Sequence, residues 1–257
     1  MMPAMSPLSP PAASPLVTYG IGGLAVGMAL AMSGLASWIS RRSGIRLGIA
    51  VALVMAAQFG LAHSGVLQAW SKVPPPFMLM LVPTLVLTTR LAFSGLGTSL
   101  ARRLPWAMLI GLQAFRLPLE LLMHRAVREG VMPVQLSYSG WNFDILTGAS
   151  ALVVAFLSLK GKVGRPLVTA WNLMGSLFLA TVVGIALVSM PILQAFGPDR
   201  MNTWITFPPF VWLPGILVPT ALFLHLVAWR KLRIPPGGEG TAGTDRSPGH
   251  PGKGMKR

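Results

Sequence analysis

Residues 106–127 read WAMLIGLQAFRLPLELLMHRAV. A hydrocarbon core of about 30 Å is crossed by roughly 20 apolar residues in a helix, and this run supplies that length. It also carries Arg116, Glu120 and His124 at intervals of four, which predicts a stripe of ionisable groups down one helix face. Such groups cost about 2.5–3.5 kcal/mol each at mid-span on insertion scales. The stretch therefore fixes the environment and marks where chemistry could sit.

Runs of similar length flank it at 16–39, 47–70, 76–98, 143–160, 167–190 and 208–229, with the quoted run as the fourth, 105–127. The reading is an all-α polytopic transmembrane bundle of seven spans over 16–233. Residues 1–15 form a disordered N-terminal segment and 234–257 a disordered, basic cytoplasmic tail. Residues 1–15 contain no Lys or Arg and lack the basic start of a signal peptide, so the first span is expected to be retained.

Composition agrees. Of 257 residues, 53% are hydrophobic and only 11% charged, against about a quarter charged in a soluble domain. A soluble enzyme or binding module is excluded on that ground. The net charge of +15 resembles a nucleic-acid signature, but the basic residues sit in short clusters between apolar runs, so no nucleic-acid partner is expected. Fifteen of the 21 Lys and Arg fall on one side: Arg41, Arg42 and Arg46; Arg102 and Arg103; Lys160, Lys162 and Arg165; Arg230, Lys231 and Arg233; and four in the tail. The other side has Lys72, Arg125, Arg128 and Arg200. The positive-inside rule then places the N-terminus outside and the C-terminus in the cytoplasm. The bilayer is the implied partner, and the basic C-terminal flank offers a contact to anionic lipid. There is no cysteine, hence no disulfide or thiol chemistry.

The candidate ligand-binding set is Arg116, Glu120, His124, Asn142, Asp144 and His63. The fourth span ends on the side where the fifth begins, so Asn142 and Asp144 can face the Glu120–His124 turn. His63, near the end of the second span, lies at similar depth. The joining segment, 130–144, is apolar and aromatic and is expected to dip back or lie along the interface, with Tyr138 and Trp141 at headgroup depth. His63, Glu120, His124 and Asp144 have metal-binding chemistry, but no tight ligand motif is present, and neither a metal nor a cofactor is implied. A second polar set, Arg90, Asn172 and His225, reads as snorkelling (Arg90, His225) and helix–helix hydrogen bonding (Asn172). Gly23 and Gly27 form a GxxxG, a face for close packing within the bundle or in a homo-oligomer. Pro83, Pro118, Pro214 and Pro219 are expected to bend their spans.

The stretches LQAFRLPLELLMH and GVMPVQLSYSGWNFDILTG resemble a group of uncharacterised bacterial integral membrane proteins that share an FR-x-P-x-E and a G-x-NFDI-x-x-G stretch. The matching positions are Phe115, Arg116, Pro118 and Glu120, then Gly140, Asn142, Phe143, Asp144 and Gly148. WNLMG at 171–175, SMPILQAF at 189–196 and the run 207–232 extend the resemblance over roughly 105–233, adding Trp171, Asn172, Pro191, Pro214, Pro219 and His225. The resemblance implies a bacterial inner-membrane protein and no particular activity.

Two known seven-helix designs do not fit. Microbial rhodopsins need a Lys in the last span, and 208–229 has none; zinc hydrolases of the ceramidase type need clustered His. No phosphate loop or serine-hydrolase motif is present. Three functional readings follow. The first is binding or transport of a small solute or lipid-like molecule through an outward-facing polar pocket. The second is an accessory or scaffold protein in which the same residues lock two spans together. The third is a membrane enzyme that uses the carboxylates as acid and base.

Overall fold

A computed structural model describes residues 9–235. The expected disorder of the two ends falls largely outside that range, at 1–8 and 236–257. Among the described residues all regular structure is helical, with no strand.

The helices are α1 (Pro15–Ser37), α2 (Arg41–His63), α3 (Pro76–Phe93), α4 (Gly95–Arg103), α5 (Trp106–Gly111), α6 (Arg116–Arg128), α7 (Asp144–Leu159), α8 (Arg165–Val188) and α9 (Val218–Leu232). A 3₁₀ turn, Leu112–Phe115, joins α5 to α6, and a π turn, Leu213–Leu217, leads into α9. Six helical stretches are long and apolar enough to cross a membrane: α1, α2, α3, α5 through α6, α8, and the π turn with α9. Of the two others, α4 has nine residues, and α7 is apolar but has 16, about 24 Å of helix. The expected third span, 76–98, divides at Ser94, whose hydroxyl accepts from the Leu96 N–H and starts α4 as a separate helix.

Large apolar side chains point outward all round the bundle, among them Leu30, Leu53, Leu87, Val153, Phe156 and Leu177, each more than half exposed. An apolar exterior of this extent needs an apolar surrounding, as in a multi-pass membrane protein. The centre is held by the last helix: 72% of its apolar window is buried, against 17% for α2 and for α3. Arg230 at its end donates to the carbonyls of Ala92 (2.5 Å) and Ser94 (3.1 Å) and to Thr98, tying α9 to the α3–α4 corner. Arg165 donates to the Leu232 and Ile234 carbonyls, groups that a helix end leaves without intrahelical partners.

Prolines mark the departures from α geometry. Pro118 cannot donate to Ala114 and its ring crowds that carbonyl; the chain tightens into the 3₁₀ turn at this point, ahead of Arg116. Pro214 lies within the π turn and Pro219 at the start of α9. Gln58 of α2 packs on Gly215, where a Cβ would stand 2.4 Å from its Oε1, and donates to the Gly215 carbonyl at 3.4 Å.

Candidate functional site

α6 and α7 approach closely because Gly148 has no side chain. A Cβ there would lie 2.3 Å from the Leu117 nitrogen and 2.9 Å from the Arg116 carbonyl carbon. Small residues permit such contact between membrane helices. One turn earlier in α7, Asp144 then meets Arg116: Nη1 donates to Oδ1 at 2.9 Å, with the side chains 1% and 7% exposed.

Asn142 completes the arrangement. Its Oδ1 accepts the Asp144 N–H at 2.9 Å, an Asx-type turn that starts α7, and its Nδ2 donates to Glu120 Oε1 at 2.7 Å and to the Leu136 carbonyl at 2.9 Å. Gln113, one turn before Arg116, donates across to the Ala221 carbonyl of α9 at 3.2 Å.

Four of the six expected residues, Arg116, Glu120, Asn142 and Asp144, thus form one cluster. His124 leaves it: its ring stacks on Tyr138 at 4.5 Å and its Nδ1 lies 2.8 Å from Ser139 Oγ. Eight residues at 3.6 per turn end about 80° from the starting direction, so the stripe drifts away from Arg116 by the time it reaches His124. His63 stacks on Phe59 of its own helix, exposed. Among the described residues no group of three or more His, Cys, Asp or Glu is placed to hold a metal ion.

The cluster is enclosed. Arg116, Glu120, Asn142 and Asp144 are each at most 5% exposed, so they do not line the outward-open pocket expected from sequence. The cover is the α6–α7 loop, where Gln135, Leu136 and Ser137 are buried and Gln135 Nε2 donates to Ser189 Oγ (3.1 Å) and the Arg200 carbonyl (2.8 Å). Trp141, in the same loop, stays 63% exposed.

Three atoms of the cluster lack partners: Arg116 Nε, Arg116 Nη2 and Glu120 Oε2. A cavity of about 30 Å³ adjoins them, its apolar walls including Leu179, Val182, Leu217 and Ala221. A second cavity, about 60 Å³ and almost wholly apolar, shares Met123, Val182, Leu213 and Val218 with the first. Asn202 and Trp204 line it and hold two more unpartnered atoms, Oδ1 and Nε1. Sequence reasoning passed over both residues; the only signal was a polar side chain in an aromatic connecting segment, NTWITFPPF at 202–210, with no charge to mark it.

The Asn172–His225 pair also forms. Asn172 Oδ1 lies 2.7 Å from His225 Nδ1 and its Nδ2 donates to the His225 carbonyl at 3.3 Å. His225, read above as snorkelling, is instead 2% exposed, its ring edge against Gly175 and Thr147. Its Nδ1 finds a partner inside the bundle, while Nε2 is buried without one. Arg90 stands apart and exposed.

Outside the spans, Glu129 accepts from Arg125 Nε at 2.6 Å and from the Ser14 N–H at 2.8 Å, which hold its carboxyl down at about 2. Compared with protein-family models, curated proteins and solved structures, the chain finds no match in any of the three.

Proposed function

We propose that the chain crosses a bilayer seven times, α7 being the seventh span, with the N-terminus outside, and that it binds or moves a small molecule at the Arg116–Glu120–Asn142–Asp144 cluster. The charge asymmetry of the loops and the apolar character of α7 support this topology. The resemblance carried by Arg116, Glu120, Asn142 and Asp144 supports a bacterial inner membrane.

One observation carries the binding reading: two guanidinium nitrogens and a carboxylate oxygen, all buried and unpartnered, adjoin a cavity. Buried polar groups are costly when unsatisfied, and Arg116 and Glu120 both line the cavity, with unpartnered donors on one and an unpartnered acceptor on the other. The cluster contributes one guanidinium and two carboxylates, the latter suited to a proton or cation.

The scaffold reading has its own support in the Arg116–Asp144 pair and the two bonds from Asn142 Nδ2, which join α6, α7 and their loop. Arg116→Lys separates the readings. A lysine can keep the single-point contact to Asp144 but loses the Nε–Nη2 edge. In a melting screen of the purified protein against metabolites, lipids and metals across pH, compounds that shift wild type are expected to lose their effect in folded Arg116→Lys. A wild type that responds to nothing, or a shift that survives the substitution, would favour the scaffold.

A further inference from the structure

The free groups restrict what can fill them. Nε and Nη2 lie on one edge of the planar guanidinium and present parallel donors, a geometry that matches two oxygens of one oxyanion. The other edge is occupied by Asp144 through Nη1. Glu120 Oε2, when ionised, only accepts, so a guest between the two must accept from Arg116 and donate to Glu120. The charged and titratable groups facing this space are Glu120 on α6, Asp144 on α7 and, within electrostatic reach of Arg116, His225 on α9. The walls from α8 (Leu179, Val182) and from the π turn (Leu213, Leu217) are apolar. Beyond the shared residues Met123, Val182, Leu213 and Val218 lies the larger apolar cavity.

We infer that the guest is a short aliphatic carboxylic acid: its carboxyl sits on the Nε–Nη2 edge of Arg116, one proton is shared between it and Glu120 Oε2, and its hydrocarbon tail occupies the neighbouring apolar cavity. The inference rests on the binding reading above and gives it a ligand class. The proton comes from bulk water, so an acid entering as carboxylate plus proton leaves the net charge of the enclosed cluster as it was with Glu120 ionised. A permanently charged anion would add an unbalanced charge, and an amine would find the Arg116 edge opposed to it.

The test is calorimetric titration of the full-length protein in detergent with acetate, butyrate and hexanoate, and with butyramide and hexylamine as controls. Affinity is expected to rise about fourfold per methylene while the tail fits, the equivalent of 0.8 kcal/mol per buried CH₂. At alkaline pH, where Glu120 and the acid are both ionised, affinity is expected to fall tenfold per pH unit. Glu120→Gln, whose amide can donate without a proton, flattens that profile while binding persists. Arg116→Lys weakens hexanoate at least tenfold. Should that variant not fold, Val182→Phe, which fills the shared wall, is expected to abolish the chain-length gain while leaving acetate in place. Equal binding of butyramide and butyrate, or tight binding of hexylamine, would overturn the ligand class and leave the site standing. A pH profile unchanged by Glu120→Gln would overturn the shared proton. If no compound of this series or of the wider screen binds, the binding reading itself fails.

Discussion

Glycine plays opposite parts in α7 and α8 and along one face of α1. In α7, Gly148 brings the backbone of α6 to within a distance no Cβ could occupy, and in α8 Gly175 does the same for the His225 ring and Thr147. In α1, Gly23, Gly27 and Gly34 have nothing within 4 Å of where a Cβ would stand. The first arrangement coincides with buried polar groups: Arg116, Asp144 and Glu120 lie between α6 and α7, and Asn172 and His225 between α8 and α9. The second coincides with exposed apolar surface, Tyr19, Val26 and Leu30 beside the glycines. A small-residue pattern therefore identifies a packing face only when something is present to pack on it. The Gly23–Gly27 GxxxG of α1 has no neighbour against it within the chain, whereas Gly44 and Gly48 of α2, also four apart, pack on Ser33 and Ser37 of α1.

The contrast can be broken by substitution. The largest effect is expected from Asp144→Ala, which leaves the Arg116 guanidinium buried without its counter-ion; removing one partner of a buried pair costs about 3–5 kcal/mol, read as a lower thermal unfolding midpoint. Gly148→Ala follows. Its methyl would overlap the Leu117 backbone, and overpacking of this kind costs about 1–3 kcal/mol. Asn172→Leu is expected to cost about 1–3 kcal/mol, because His225 loses its Nδ1 partner inside the bundle. Gly27→Ala should change unfolding by no more than about 0.5 kcal/mol. A loss as large as that of Gly148→Ala would mean the α1 face is covered by a second copy, and the comparison would fail.

A smaller effect concerns acid. Glu129 is held below the usual carboxylate range by the Ser14 N–H and Arg125. A group with a depressed folded-state value stabilises above its unfolded value and loses that contribution as pH falls. The Ser14 anchor should accordingly weaken between about pH 4.5 and about 2. Glu129→Gln should remove this part of the acid response, seen as hydrogen exchange at the start of α1.

The long helices were legible from hydropathy, and so was the meeting of Arg116, Glu120, Asn142 and Asp144, because one run ends on the side where the next begins. Enclosure was not legible. It depends on Gln135, Leu136 and Ser137 folding over the cluster, and on hydrogen bonds to Ser189 and Arg200 more than fifty residues away. His63 was grouped with the cluster by depth and His124 by its spacing of four from Glu120. Depth says nothing of helix rotation, which leaves His63 on Phe59, and a spacing of four drifts over two steps, which carries His124 to Tyr138. The burial of His225 was hidden for a related reason: a polar residue near a span end suits an interface until a partner such as Asn172 is known to face it.

The central claim is that the unpartnered Nε–Nη2 edge of Arg116 is a binding surface and the Asp144 edge a structural one. The most direct measurement compares the melting of wild type and Arg116→Lys with and without the strongest compound from the screen. The account predicts that the ligand-free midpoints stay within a few degrees of each other while the ligand-induced shift disappears from the variant. A ligand-induced shift of equal size in both proteins, or a wild type that no compound shifts, would contradict it.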